Sequence, residues 1–434
     1  MKRNMKCIFA ILFASLLVLG LLACAKDDPA AGDETAAQTQ GGTDTTAPAD
    51  TEATTPPADD GESEGNGEQN GEQNGEQNGE QNGGEQQDPP APVAKTTVYL
   101  KAGVAGVRTL GVRGVASDDG IWCDWAGSGF EFNVSMPQGG DIGFMLNATG
   151  DSCFRVFVDG AAHNNTDGTP YYKVNADDLA MNIKGIAAGD HLISVVRCDD
   201  GSAGTALFNK AVIAGTQTTL AEKDLYVEFV GDEIALGKGL NGTASGYDAT
   251  LGFAFQTAMA LNAEYSITAL AGQGVTAGDL SFDTSYDYVS PNHHGTDRYD
   301  FAKKADIVVV SLGTNDALAG ETASFQQKYF ELIYAIRQKN GADCKIYCVY
   351  SGNEGLSADI QAACANIGGE AAGFYAIDWT GVTGTSYPTA QQQAAFATAL
   401  TARINETKDN AITAQPAMDG IGVVIKWKEG VKTA

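Results

Sequence analysis

The 434-residue chain is poor in basic residues: 27 Lys and Arg stand against 55 Asp and Glu, giving a formal net charge of −28. A chain this acidic lacks the positive charge that neutralises phosphates, which excludes nucleic acid as a partner. Residues 25–94 contain no aromatic residue and no Ile, Leu or Met, and they hold 17 acids against one lysine. Such a segment cannot bury enough surface to offset chain entropy, so we predict that residues 24–94 form a disordered acidic linker.

Histidine is also scarce, with four in the whole chain, and the cysteines do not have zinc-site spacing. Six cysteines follow the linker, and none of them has a nearby histidine that would complete a metal site. These cysteines are Cys123, Cys153, Cys198, Cys344, Cys348 and Cys364. We predict no metal and no cofactor, whereas disulfides and buried free thiols both remain possible.

The N-terminal apolar run, residues 7–22, is too short to span a bilayer comfortably. Lys2, Arg3 and Lys6 precede it, and Ala23-Cys24 follows, as in a signal peptide with a lipobox-like end. We therefore predict a cleaved signal peptide over residues 1–23 and lipid on Cys24, which would hold the mature chain on a bacterial cell surface. The alternative is an ordinary secreted protein.

Two patterns of secondary structure follow the linker. Residues 95–218 read as short alternating strands separated by Gly-rich turns, including strands 130–134, 154–158 and 191–196, which predicts a β-sandwich domain. Residues 222–410 alternate strands with amphipathic helices, which predicts a parallel sheet covered by helices on both faces. The predicted strands are 225–230, 265–270, 307–311, 345–350 and 374–377, and the predicted helices are 253–261, 324–338, 357–367 and 390–404. Residues 411–434 form a C-terminal tail without a functional assignment.

Three turns at predicted carboxyl ends of parallel strands carry the candidate chemistry, because ligands of such sheets bind at those ends. The first is Gly231-Asp232-Glu233, and the third ends in Asn315-Asp316 after Gly313-Thr314. The second contains Gly272 and Gly274, either of which can present a backbone N–H to an oxyanion; we favour Gly272.

These turns resemble signature blocks of the SGNH/GDSL hydrolases, in which the first block reads Gly-Asp-Ser and the third Gly-Thr-Asn-Asp. A sandwich ahead of such a domain resembles carbohydrate esterase family 2, whose members deacetylate plant polysaccharides, and residues 125–132 and 156–160 are similar to its sandwich segments. The resemblance covers roughly residues 97–408. It implies a jelly-roll-like sandwich and a three-layer, flavodoxin-like SGNH domain, with Gly272 and Asn315 forming the oxyanion hole.

The chain departs from this pattern at the catalytic positions. Glu233 stands where the family has its nucleophilic serine, and Tyr387 stands where it has histidine, with no Asp nearby to orient a base. A phenol with an ordinary pKa of about 10 is a poor general base near pH 7. His163 and His191 belong to the predicted sandwich, and His293 and His294 to a loop.

Glu233 therefore has two possible roles. A carboxylate can act as a nucleophile, which would make the protein an esterase of unusual mechanism. Alternatively, the carboxylate reaches back to Gly272 and Asn315 and fills the oxyanion hole as a built-in anion. We favour this second hypothesis, in which the acyl-transfer machinery is dismantled.

Three functions remain open for a chain of this kind: binding of polysaccharide or acetylated carbohydrate, deacetylation, and a structural or adhesion role with a vestigial cleft. We favour carbohydrate binding by an inactive hydrolase fold. Asp232, Gly274, Asp316 and Trp379 are the predicted substrate-binding residues. Other aromatic residues available to stack on sugar rings are Tyr247, Tyr286, Tyr288 and Tyr387.

Overall fold

The computed structural model describes residues 93–101, 103–113, 117–289, 298–350, 355–379 and 387–417. The predicted signal peptide, Cys24, nearly all of the linker, His293, His294 and residues 418–434 lie outside these ranges. Within them, no helix is long and apolar enough to cross a membrane.

Residues 96–218 form two antiparallel sheets. The first contains β1 (Thr96–Tyr99), β3 (Ile121–Cys123), β5 (Gly140–Ala148), β9 (Ala180–Ile186) and β11 (Ala206–Ile213). The second contains β2 (Val107–Leu110), β4 (Gly129–Met136), β6 (Ser152–Val158), β7 (Ala161–His163), β8 (Tyr172–Val174), β10 (Gly189–Arg197) and β12 (Thr216–Thr218). β11 is central to the first sheet, where β1, β3 and β5 pair with it, and the second sheet is built around β4, β10 and β6.

The two sheets pack face to face around one apolar core. Alternate residues point inward, as Phe130 and Phe132 do on β4, and Phe130 meets Phe208 of the facing sheet edge-on, with ring centroids 5.2 Å apart. Alternation of apolar and polar residues is what a half-buried strand requires, so the sequence pattern and the packing agree. We refer to residues 96–218 as the β-sandwich.

Residues 226–407 form a parallel sheet with helices on both faces. Its strands are β13 (Tyr226–Gly231), β14 (Glu264–Ala269), β15 (Ile307–Ser311), β16 (Lys345–Tyr350) and β17 (Phe374–Asp378), in the spatial order β14-β13-β15-β16-β17. The helices are α1 (Phe253–Ala260), α2 (Phe282–Ser285), α3 (Thr314–Ala319), α4 (Phe325–Asn340), α5 (Ser357–Asn366) and α6 (Ala390–Thr407). We refer to this part as the α/β layer. The predicted strands and the four predicted helices are confirmed, with ends within three residues.

Neighbouring residues of each central strand point to opposite faces of the parallel sheet. On β15, Val308 and Val310 pack toward α4 and α5, whereas Ile307 and Val309 pack toward α1 and α6. Burial on both faces explains why β15 is continuously apolar instead of alternating. The strand order reverses direction between β13 and β15, and the loops after these two strands open into the same crevice.

A buried ion pair joins the β-sandwich to the α/β layer. Arg113, just after β2, lies 2.7 Å from a carboxylate oxygen of Glu228 on β13, and both side chains are almost fully buried. Thr268 and Tyr286 donate hydrogen bonds to the same carboxylate, at 2.8 and 2.7 Å. The Tyr265 hydroxyl on β14 also donates to the Gly127 carbonyl at 2.8 Å. These contacts hold the parallel sheet, and so its carboxyl edge, in a defined position against the sandwich.

Candidate functional site

The loops after β13, β14 and β15 meet at the carboxyl edge of the parallel sheet, where the strand order reverses. They bring together three of the predicted residues, Glu233, Gly272 and Asn315, and the segment before α6 adds Tyr387. A reversal of strand order leaves a crevice that adjacent loops do not cover, so this is where a doubly wound sheet places its ligand site.

The Glu233 carboxylate points into this crevice and is held at both oxygens. Its Oε2 accepts from the Gly272 backbone N–H and from the Asn315 side-chain amide, each at 2.9 Å. Its Oε1 accepts from the Tyr387 hydroxyl, also at 2.9 Å. The residue is 3% exposed, so three protein donors replace the water that a carboxylate normally requires.

Local backbone geometry aims the two donors of Oε2. Gly272 has a φ of +71°, a conformation that residues with a Cβ rarely adopt, and this turns its N–H toward Glu233. Asn315 lies in the first turn of α3, and its amide also donates to the Gln273 carbonyl at 3.0 Å. Both amide hydrogens of Asn315 are therefore used, which fixes the side chain in place.

Lys238 is a member of the site that sequence reasoning missed. Its ammonium donates to the Tyr387 hydroxyl at 3.1 Å and lies 4.5 Å from the centre of the Tyr387 ring. Gly237, with a φ of +69°, makes the preceding turn, and a Cβ there would lie 2.2 Å from the Asp248 carbonyl oxygen. The only sequence signal was a lysine between two glycines, Gly237 and Gly239.

The hydrogen bonds define the charges of this network at neutral pH. Burial opposes ionisation of Glu233, but the donors Asn315, Gly272 and Tyr387 outweigh it and lower the pKa of that carboxyl. Burial and the neighbouring Glu233 raise the pKa of the Tyr387 phenol. The pKa of Lys238 is raised despite burial, because Tyr387 accepts its hydrogen bond. The site therefore holds an anion, a neutral phenol and a cation in line.

Among the described residues of this site, Glu233 and Tyr387 stand at the predicted catalytic positions, and hydrogen bonds hold both side chains. The Glu233 oxygens are engaged by three donors, and Tyr387 is kept protonated. In the β-sandwich, His163 is bonded to Tyr172, and His191 to Asp159 and the Ala187 carbonyl. Within the described ranges, no group of three or more His, Cys, Asp or Glu is placed to hold a metal ion.

Two of the predicted substrate-binding residues brace the loop after β14. Asp316 is fully buried, and its carboxylate accepts the backbone N–H groups of Val275, Thr276 and Ala277 at 2.8 to 3.1 Å. A Cβ on Gly274 would lie 2.2 Å from an oxygen of Asp316, so glycine is required there for close packing. Both residues therefore support the loop after β14, and their contact with a ligand stays a prediction.

Asp232 and Trp379 are also interior residues. The Asp232 carboxylate accepts from the Ile234 N–H at 2.9 Å and shapes the turn that carries Glu233. The Trp379 ring is 5% exposed and stacks on Phe396 of α6, with ring centroids 4.0 Å apart. Both side chains are buried, and their contact with a ligand stays a prediction.

Among the other aromatic candidates, Tyr286 is buried, with its hydroxyl on Glu228. Tyr247, Tyr288 and Tyr387 are half-buried. Tyr247 pairs with Lys238 through a backbone bridge and so lies beside the Glu233 site. The six cysteines after the linker, all within the described ranges, are free thiols in this structure.

The solved structures with a similar fold include carbohydrate esterases. A family two carbohydrate esterase from Clostridium thermocellum, in complex with cellohexaose, is 26% identical, with a TM-score of 0.58 over 69% of this chain and 98% of that chain. A family two carbohydrate esterase from Cellvibrio japonicus is 16% identical, with a TM-score of 0.60 over 73% and 99%. The acetyl xylan esterase Est2A from Butyrivibrio proteoclasticus is 16% identical, with a TM-score of 0.62 over 72% and 98%.

No family model and no curated protein matches the chain. The similarity to solved structures thus establishes an esterase-like fold of the family two type.

Proposed function

We propose that this protein is a surface-anchored, non-hydrolytic member of the esterase fold that binds carbohydrate. In this proposal Glu233 occupies the nucleophile position, Tyr387 the histidine position, and Gly272 and Asn315 the oxyanion hole. The supporting observation is the Glu233 carboxylate itself, which accepts from Gly272, Asn315 and Tyr387 together. An anion already in the hole competes with the tetrahedral oxyanion that ester hydrolysis would place there.

Carbohydrate is the proposed ligand because the crevice keeps polar groups and aromatic rings at its rim. Tyr247 and Tyr387 are half-buried beside Lys238, and Gly272 is exposed. The 26% identical esterase from Clostridium thermocellum was solved with cellohexaose. Aromatic faces for stacking and a few convergent polar groups are the usual features of a carbohydrate pocket.

The proposal includes the predicted organisation of the whole chain. A lipid on Cys24 would anchor the protein, and residues 24–94 would tether residues 95–218 and 222–410 to the membrane. A flexible linker of that length has an r.m.s. reach on the order of 45 Å. That reach suits a protein that captures extracellular polysaccharide near the cell.

Restoring the family residues tests the catalytic half of the proposal. We expect no acetyl release from 4-nitrophenyl acetate or acetylated xylan by the wild type. The Glu233→Ser/Tyr387→His variant should gain measurable turnover, because the two donors of the hole are retained. Adding Asn315→Ala to that variant should lower its kcat by roughly 100-fold, the usual cost of one oxyanion donor.

Turnover and glycan binding by the wild type distinguish the three functions. Turnover by the wild type that disappears in Glu233→Ala would show an esterase of unusual mechanism and overturn the proposal. Retardation of the wild type by xylan or glucomannan in native gels, weakened in Tyr247→Ala, is the expected binding result. If no glycan retards the wild type, the structural or adhesion role replaces carbohydrate binding.

A further inference from the structure

The outer face of the first sandwich sheet carries two adjacent rows of side chains, in which Tyr99, Met145 and Asn147 are exposed, Trp122 is half-buried and Leu207 is buried. In one row Tyr99, Lys210, Met145 and Ala180 are direct cross-strand neighbours on β1, β11, β5 and β9. In the other row Trp122, Leu207 and Asn147 are neighbours on β3, β11 and β5. Tyr99 is 58% exposed and Met145 is 42% exposed, and Lys210 lies between these two large apolar side chains.

The two aromatic residues share one edge of β11 and the same face. Tyr99 lies opposite Lys210 and Trp122 opposite Leu207, while the inward neighbours Val98, Leu100, Ile121 and Cys123 belong to the sandwich core. A bulge at Asn209 makes the rows three residues apart on β11 and two apart on β5. At the strand rise, this separates the rows by roughly 7 to 10 Å.

The face carries amides between the aromatic residues and almost no charge. Asn147 is exposed, and its amide lies 3.5 Å from the Asn209 side chain, so it retains capacity for a ligand hydroxyl. Lys210 is the one charged residue in the two rows, and at the end of the sheet Asp141 and Lys184 pair with each other at 2.7 Å. On a chain of net charge −28, this is a surface that an uncharged polymer can approach without electrostatic cost.

Charge disfavours a second copy as the occupant, and composition disfavours the linker. A second copy docked face to face would bring two Lys210 ammonium groups together, and neither row offers an acid to pair them. Residues 25–94 contain no aromatic residue and no Ile, Leu or Met, so they lack the side chains that would cover Tyr99 and Trp122. We infer that this sheet face is a second glycan-binding surface, independent of the Glu233 site, on which sugar rings of a neutral β-linked polysaccharide stack.

Native affinity electrophoresis of the full chain tests the inference, with hydroxyethyl cellulose, glucomannan or xylan in the gel and polygalacturonate as the charged comparison. We expect retardation by a neutral glycan and none by the polyanion. Tyr99→Ala and Trp122→Ala should each weaken binding at least 5-fold, and Tyr99→Phe should retain most of it, because stacking needs the ring. Met259→Ala, which removes an exposed side chain of α1 outside this face, is the matched control.

The same gels separate this surface from the crevice. If Tyr99→Ala further weakens the binding that remains in the Tyr247→Ala variant, the protein has two sites. Wild-type affinity in Tyr99→Ala, Trp122→Ala and their double variant overturns the inference, even if Tyr247→Ala weakens binding and the proposed function stands. Thermal unfolding midpoints close to the wild type ensure that a loss of binding reports the surface. If Trp122→Ala lowers the thermal unfolding midpoint, the difference in glycan affinity between Tyr99→Ala and Tyr99→Phe still tests the inference.

Discussion

The proposed function depends on Glu233, because ionisation and hydrogen bonding reinforce each other at this residue. Desolvation of a carboxylate raises its pKa, yet three donors lower the pKa of Glu233. A proton on Glu233 would leave at least one of the donors Gly272, Asn315 and Tyr387 without its full acceptor. The anionic form is therefore the one that the folded protein stabilises.

This linkage predicts a pH-dependent contribution of Glu233 to stability. Because its folded pKa is lowered, the contribution is complete above the ordinary carboxyl value of about 4.3 and is lost as pH falls through the folded pKa. Glu233→Gln should lower the free energy of unfolding by about 1–2 kcal/mol at pH 7. The difference between wild type and variant should shrink steadily from pH 5 to pH 3.

Urea unfolding followed by tryptophan fluorescence measures this difference. Glu321→Gln, which alters an exposed carboxylate just after α3, is the matched control and should change stability by less than about 0.5 kcal/mol at either pH. A Glu233→Gln difference that stays constant or grows toward pH 3 would contradict the assignment of a stabilised anion.

At the scale of elements, sequence periodicity predicted the strands and helices that depend on residues near in sequence. The continuous apolar run of β15 and the helical period of α4 depend on neighbours in sequence, and both were predicted within two residues. The burial of Trp379 was not predicted, because it depends on α6 packing across the ring. Lys238 was missed because its partner, Tyr387, is 149 residues away.

In the candidate site, too, features set by local sequence were predicted, and features set by distant residues were not. Glu233, Gly272 and Asn315 were found because each follows a strand, and the carboxyl ends of parallel strands share one edge. Asp316 was singled out by its position, but its contacts with the loop after β14 were not predicted. The three backbone N–H groups that it accepts belong to a different loop, and no local pattern indicates them.

Asp316 therefore predicts a coupling between α3 and the loop after β14. Asp316→Asn should cost about 2 kcal/mol, since an amide nitrogen would replace one acceptor among buried donors. It should also speed hydrogen exchange at the Gly272 N–H, because the loop that aims this group would loosen. Exchange monitored by mass spectrometry on peptides covering residues 270–280 measures the effect. If exchange at residues 270–280 is unchanged although global stability falls, Asp316 stabilises the fold but does not orient the Gly272 N–H.

At the scale of the whole molecule, the β-sandwich and the α/β layer lie within one compact unit. The Arg113–Glu228 pair is one of the buried polar links between them, beside the Arg155–Asp248 pair, and burial alone would oppose the charges of both Arg113 and Glu228. Glu228, with other nearby groups, keeps the pKa of Arg113 raised against that burial. A buried pair of this kind adds little net stability over an apolar pair, but breaking it is costly.

A double-mutant cycle on this pair tests whether the two parts unfold together. Arg113→Met should cost about 3–5 kcal/mol, because it leaves the Glu228 carboxylate buried without its cation. Arg113→Met/Glu228→Gln should cost less than the sum of the single variants, since the unpaired charge is removed. Lys184→Met, which breaks the exposed pair with Asp141, should cost less than about 1 kcal/mol.

Calorimetry measures whether the β-sandwich and the α/β layer unfold in one transition. If the link couples the two parts, the wild type unfolds in one transition, and Arg113→Met lowers its midpoint as a whole. Two transitions in the wild type, only one of which moves in Arg113→Met, would mean that the β-sandwich and the α/β layer unfold independently. In that case Arg113 would stabilise one part locally, and the position of the Glu233 crevice against the sandwich would have to rest on other contacts, such as the hydrogen bond from Tyr265 to Gly127.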